Sequence, residues 1–103
     1  MLVHTVYFWL NEGAPAGERE RLLASCRELL GRIPTVKNSW AGRPAATPKR
    51  EVIDASYDVA ITVVLDDMQS HDVYQEHPLH KEFLVRHREN WKRVQVYDAE
   101  ERV

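Results

Sequence analysis

The chain has 103 residues and a mass of 12.0 kDa, which is enough for one folded domain and too little for two. Its 14 Lys and Arg residues against 16 Asp and Glu residues give a net charge of −2, so electrostatics gives no reason to expect nucleic acid or an anionic membrane as a partner. The composition is 44% hydrophobic and 29% charged, which predicts a single soluble globular domain over residues 1–103.

Cys26 is the only cysteine, so an internal disulfide and a cysteine-based metal framework are both excluded. A lone thiol fits a reducing compartment. The first residues have no cationic stretch ahead of an apolar core, and no apolar run approaches the ~18 residues of a spanning helix. We therefore predict a cytoplasmic location.

The first half of the chain predicts a strand, a helix, a second strand and a long loop. Residues 2–10 are rich in β-branched and aromatic side chains, which favours a strand. Apolar residues recur at helical spacing over about 16–31, which predicts a helix. The proline before this segment is typical of the first turn of a helix. A strand over 36–42 precedes a polar segment, 43–56, that two prolines make irregular.

The second half predicts a strand, two helices separated by a break, and a last strand. Residues 57–65 form the clearest strand, and a short helix follows over about 68–75. The residue before a proline avoids helical geometry, so His77-Pro78 ends that helix and opens another, to about Lys92. Residues 94–98 are the last strand. The order β-α-β-β-α-β predicts an α+β fold of the ferredoxin-like class.

The first strand is apolar on both sides, which predicts a partner for the sheet. In a ferredoxin-like domain the helices cover one face of the sheet, and the other face stays bare. The strand places Val6 and Phe8 on one side and Tyr7 and Trp9 on the other. Monomers rarely expose such an aromatic patch, so we expect a second copy of the chain to cover it, giving a homodimer.

Several residues together resemble the stress-responsive dimeric A/B barrel domain family. They are His4 on the first strand, Tyr57-Asp58, the element Tyr74-x-x-His77-Pro78-x-His80, and the closing Val94-x-Val96-x-Asp98. The likeness covers essentially the whole chain. It implies a ferredoxin-like subunit whose sheet packs against its twofold mate, so that the two sheets form a dimeric α/β barrel.

The same resemblance suggests a candidate site. Some members of that family are associated with stress tolerance, and at least one plant member is a polyketide cyclase that closes a ring by aldol chemistry. In that cyclase the matching tyrosine and second histidine of the helix-break element act in the reaction, with the strand histidine nearby. The resemblance therefore implies Tyr74, His80 and His4 as catalytic candidates.

The chemistry expected of these residues follows from their places on the elements. If Pro78 is the first helical residue, His77 is the N-cap and His80 lies near the positive end of the helix, which disfavours imidazolium. We expect a neutral His80 that can accept a proton and Tyr74 that can donate to an oxygen. With His4 facing the same space, the group could enolise a carbonyl compound.

Two functions stay open at this point. One is a binding domain for a small apolar ligand with weak or no activity, and the other is a cofactor-free cyclase or isomerase. A cavity of roughly 300 Å³ touching Tyr74 and His80 would favour the enzyme, whereas bulky residues such as Leu84 could close it. The expected ligand-binding residues are Val6, Phe8, Val59, Ile61, His77, Phe83 and Trp91. A monooxygenase or haem enzyme is a more distant alternative.

Other chemistry-bearing residues have plainer interpretations. His4, His77 and His80 could be considered as metal ligands, but the last two lie on opposite sides of the proline break. No Asp or Glu lies at a spacing that would add a carboxylate ligand, so we predict no metal. His87 and Cys26 fall on buried stripes and are expected to pack. The basic residues Arg86, Arg88, Lys92 and Arg93 are expected on the solvated face of one helix.

Overall fold

A computed structural model describes residues 1–102, so the predicted domain 1–103 includes one residue, Val103, that lies outside them. Four strands form one antiparallel sheet in the order β2-β3-β1-β4, with the helices packed together on one face. This confirms the predicted ferredoxin-like α+β fold. The elements are β1 Leu2–Leu10, α1 Glu18–Glu28, β2 Asn38–Gly42, β3 Val59–Leu65, α2 Met68–Glu76, α3 Pro78–His87 and β4 Trp91–Glu100.

The first helix is shorter than the predicted span of 16–31. Gly17 precedes it with φ of +83°, a left-handed conformation that cannot continue a helix backwards. At the other end the backbone tightens into a 3₁₀ turn over Leu30–Arg32. Strand β3 starts at Val59 rather than at residue 57, and just before it the Asp58 carboxylate accepts a hydrogen bond from the backbone N–H of Leu10.

The boundary between α3 and β4 was predicted wrongly. The expected helix over 78–92 ends at His87, and β4 begins at Trp91 instead of residue 94. The early start of β4 is explained by its pairing with β1. All of β1 is hydrogen-bonded to β4, from Leu10 opposite Trp91 to Leu2 opposite Glu100. Lys92 and Arg93 therefore lie on a strand, and the basic residues do not form one helical surface.

The helix-facing side of the sheet carries the core. Leu2, Val6 and Phe8 of β1 are buried there, as predicted for one side of that strand. Phe83 of α3 packs edge-on against Phe8 with ring centroids 5.9 Å apart. Cys26 of α1 is fully buried, and burial raises the pKa of its thiol to about 12. The cysteine is thus a packing residue, as expected.

A buried hydrogen-bond network ties α1 to α3. His87 Nδ1 lies 2.8 Å from a Glu18 carboxylate oxygen, and His87 Nε2 lies 2.7 Å from the Ser25 hydroxyl. Arg21 adds a bond to the other Glu18 oxygen. Because a buried carboxylate is costly without such partners, this network accounts for His87 as a structural residue.

The helix-free face is less bare than the sequence predicts. Trp9 is only 8% exposed, because its indole N–H donates to the Ser56 hydroxyl and the Arg93 guanidinium lies 4.3 Å above its ring. Tyr7 lies between the rings of Tyr57 and Tyr97. The end of the long loop therefore buries Trp9 within one subunit.

The remaining aromatic surface on this face lies further out on the sheet. Trp40 of β2 is 59% exposed and Tyr97 of β4 is 63% exposed. Both belong to one row of side chains that crosses the sheet through Thr62 and Thr5. None of the helices in residues 1–102 is long and apolar enough to cross a bilayer.

Candidate functional site

The break between α2 and α3 brings two of the predicted site residues, Tyr74 and His80, close together. His77 has φ −63° and ψ 141°, an extended conformation that ends α2. Its Nδ1 accepts a hydrogen bond from the backbone N–H of Leu79, which makes it the N-cap of α3 with Pro78 as first helical residue. Tyr74 and His80 thus lie on either side of a sharp turn, and their rings meet with centroids 5.0 Å apart.

Strand β1 brings the third predicted residue to the same place. His4 is 4% exposed and faces the helices, and its ring lies 5.9 Å from that of Tyr74. Tyr74 is itself 1% exposed and lies between the two histidines. The structure therefore brings His4, Tyr74 and His80 together.

Two further residues join this group that the sequence analysis did not single out as site residues. Asp98 lies opposite His4 in the β1–β4 ladder, and its carboxylate is 2.5 Å from His4 Nδ1. His71 lies on α2, and its ring is 5.1 Å from that of His4. Its spacing of three residues from Tyr74 puts both on one helix face, which is a signal that the sequence contained.

The electrostatics of the site favour a neutral imidazole and a protonated phenol. Burial lowers the pKa of His80, and the neighbouring His4 and His71 lower it further, while Glu76 opposes them. Burial also raises the pKa of the Tyr74 phenol. The sequence analysis expected a neutral His80 because of the helix end; in the structure the main cause is burial.

A cavity of about 130 Å³ touches His4, Tyr74 and His80. It is smaller than the roughly 300 Å³ that would have favoured the enzyme. Leu84 is one of its walls, as anticipated. The remaining lining residues are mostly apolar: Val6, Phe8, Leu30, Ile61, Gln75, Phe83, Trp91, Val94 and Val96.

The predicted ligand-binding residues divide into two groups. Five of the seven line the cavity, namely Val6, Phe8, Ile61, Phe83 and Trp91. Val59 is instead fully buried in the core, and the ring of His77 is used by the cap of α3. Because His77 is held in that way, the structure does not unite His4, His77 and His80, the set that the sequence analysis considered for a metal and set aside.

Two nitrogen atoms of cavity-lining residues are buried without a hydrogen-bond partner within residues 1–102. They are His80 Nδ1 and the indole Nε1 of Trp91. An indole N–H can only donate, so its missing partner must be an acceptor. Buried polar atoms are nearly always satisfied in folded proteins, so these two are exceptions, and neither atom is exposed to the open space of the cavity.

A larger groove of about 290 Å³ lies on the helix-free face. Its walls are Tyr7, Trp9, Val52, Asp54, Tyr57, Arg93, Gln95 and Tyr97. The thickness of the sheet separates it from His4 and Tyr74, whose side chains point to the opposite face. This groove therefore belongs to the exposed aromatic surface and not to the histidine site.

A sequence model of the stress responsive A/B barrel domain matches residues 2–101. The chain belongs to this family. The match spans the helix-break element and both central strands, so the predicted resemblance is confirmed. Among curated proteins, none is significantly similar to the chain in sequence.

Solved structures share the fold of this family member. A dimeric ferredoxin-like protein of unknown function from Thermobifida fusca is 21% identical, with a TM-score of 0.77 over 95% of this chain and 88% of that one. A family protein from Mesorhizobium loti is 20% identical, with a TM-score of 0.76 over 99% and 97%. A hydroxynitrile lyase from Passiflora edulis is 14% identical, with a TM-score of 0.78 over 95% and 90%.

The lowered pKa of His80 predicts how stability depends on pH. The unfolded chain binds a proton on this histidine below about pH 6.5, whereas the folded chain resists it, so stability falls as pH drops below that value. We expect His80→Gln to remove part of the stability loss between about pH 7 and about pH 5 in urea unfolding. An NMR titration midpoint of His80 at or above 6.5 would contradict this expectation.

Proposed function

We propose that this family member binds a small, mainly apolar compound with a carbonyl or hydroxyl oxygen in the cavity beside Tyr74. The observation that supports it is a largely apolar cavity whose walls also include the polar side chains of His4, Tyr74, Gln75 and His80. The Tyr74 phenol can donate a hydrogen bond to an oxygen of the compound. The apolar walls would hold the body of the compound.

The size of the cavity limits the ligand. Engineered apolar cavities of about 150 Å³ hold a benzene molecule, and this cavity has a comparable 130 Å³. Val94 and Val96 form part of its lining and are 41% and 42% exposed, so the cavity has a side close to solvent. A compound built on one ring, with any longer substituent directed past β4, fits this shape.

A second candidate function is cofactor-free acid/base catalysis on a carbonyl substrate, in the manner of a cyclase or isomerase. The arrangement that favours it is a neutral His80 beside a protonated Tyr74, because one can accept a proton while the other stabilises a developing oxyanion. Asp98 would hold His4 in one orientation next to them. The Passiflora edulis neighbour is a hydroxynitrile lyase, so this fold can support an enzyme.

We further propose that the chain forms a homodimer through the helix-free face of its sheet. The Thermobifida fusca neighbour with this fold is dimeric. Exposed Trp40 and Tyr97 offer apolar area for such a contact, beside a groove that Tyr7 and the largely buried Trp9 line. A cytoplasmic location and a role in the stress response stay predictions.

Binding can be tested with acetophenone, which combines one aromatic ring with a carbonyl oxygen. We expect a shift of the Trp91 indole N–H signal in NMR and saturable binding in calorimetry. Leu84→Trp should abolish both because the larger side chain fills the cavity. The matched control is Val85→Trp, on the 83% exposed side of the same helix. Equal binding by the two variants would contradict the proposed location.

Catalysis can be tested with the same ketone in deuterated water. A base at the cavity should exchange the methyl protons beside the carbonyl, and His80→Gln should slow that exchange by roughly 100-fold or more. His77→Gln is the control, since His77 caps the helix outside the cavity. Exchange no faster than buffer, or an unchanged rate in His80→Gln, would leave ligand binding as the function.

The dimer can be tested by sedimentation. A charge buried in an apolar contact is costly, so Tyr97→Glu should weaken the dimer by at least about tenfold in Kd. Val85→Glu adds the same charge to the helical side and should leave the dimer unchanged. A wild-type chain that sediments as a monomer, or a dimer disrupted by Val85→Glu alone, would exclude the proposed interface.

A further inference from the structure

We propose that His4, His71 and Asp98 form a binding site for a divalent cation of the Zn²⁺ type. The three side chains come from β1, α2 and β4, and their potential ligand atoms all lie within 4.8 Å of one another. The site shares His4 with the cavity and shares Asp98, which would orient His4, with the proposed catalysis, whereas His71 has no role in either proposal.

The kinds of ligand select the class of metal. Two imidazoles and one carboxylate form a set that proteins use for zinc and related transition metals, with a further position left for water or substrate. Magnesium and calcium prefer sites built from oxygen atoms, so this cluster disfavours them. The cation expected here is therefore Zn²⁺ or a close substitute such as Co²⁺.

The cluster needs only small adjustments to hold the ion. Tetrahedral bonds of about 2.0–2.1 Å put ligand atoms about 3.4 Å apart, so separations of up to 4.8 Å must shorten by at most roughly 1.4 Å, while the 2.5 Å contact between His4 Nδ1 and Asp98 must lengthen by roughly 0.9 Å. The His4 side chain is 5% exposed and fixed, whereas those of His71 and Asp98 are 16% and 45% exposed. The two outer ligands can therefore adjust, with His71 moving toward His4 and Asp98 moving away from it, and the cation can enter past Asp98.

The present hydrogen bonds leave this cluster incomplete. His71 Nδ1 is buried and has no hydrogen-bond partner among the described residues, although the Asp72 carboxylate lies 3.5 Å away. His4 Nδ1 and the Asp98 carboxylate share one short contact. A cation between the three groups would replace the proton of that contact and take one ring nitrogen of His71 as a ligand.

The test uses the full chain, stripped of metal, and the cation alone as probe. Co²⁺ should bind one per subunit with a visible absorption band, and Zn²⁺ should displace it and raise the melting temperature. His71→Leu and Asp98→Asn should each weaken binding by at least about tenfold. Asp98→Asn preserves the shape of a half-exposed strand residue, so it remains decisive if His71→Leu fails to fold.

The matched control is His77→Asn, which keeps a capping side chain and removes another histidine of the same helix pair. It should bind Co²⁺ as wild type does. No saturable binding by wild type, or affinity unchanged in Asp98→Asn, would overturn the metal site. Because acetophenone binding is measured in metal-free protein, failure of one proposal is distinguishable from failure of the other.

Discussion

Pairing of β1 on both edges is the constraint on which the rest of this structure depends. The strand is hydrogen-bonded to β3 on one side and β4 on the other, so it can neither slip nor turn over without losing two ladders. Its alternation then fixes which side chains face the helices. The register that buries Val6 and Phe8 in the core also places the His4 side chain in the site.

The helix break supplies the second half of the site. In a continuous helix through α2 and α3, Tyr74 and His80 would be six residues apart. Their side chains would then point in directions about 120° apart around the helix axis. The extended backbone at His77 redirects the chain so that the two rings meet. Proline, which cannot donate a backbone hydrogen bond, stabilises that change of direction at no loss of helical bonding because it is the first residue of α3.

Burial changes the protonation chemistry of the side chains that meet at this site. Three imidazoles, a phenol and a carboxylate lie together at the edge of an apolar core, where positive charge on any one imidazole disfavours charge on the next. The lowered pKa of His80 is the result. Such a site can lower its free energy by accepting a polar ligand atom at one end and a cation at the other.

Local sequence determined the central features of this protein. The apolar first strand and the His77-Pro78 break follow from side-chain periodicity and from the geometry of proline, which act over a few residues. The family resemblance, and not a local pattern, implied that Tyr74 and His80 act together. Only the tertiary structure decided where β4 begins, that the loop ending at Ser56 buries Trp9, and that His71 and Asp98 join His4. Those contacts depend on strand register and helix approach between residues distant in the chain, and no short-range pattern specifies them.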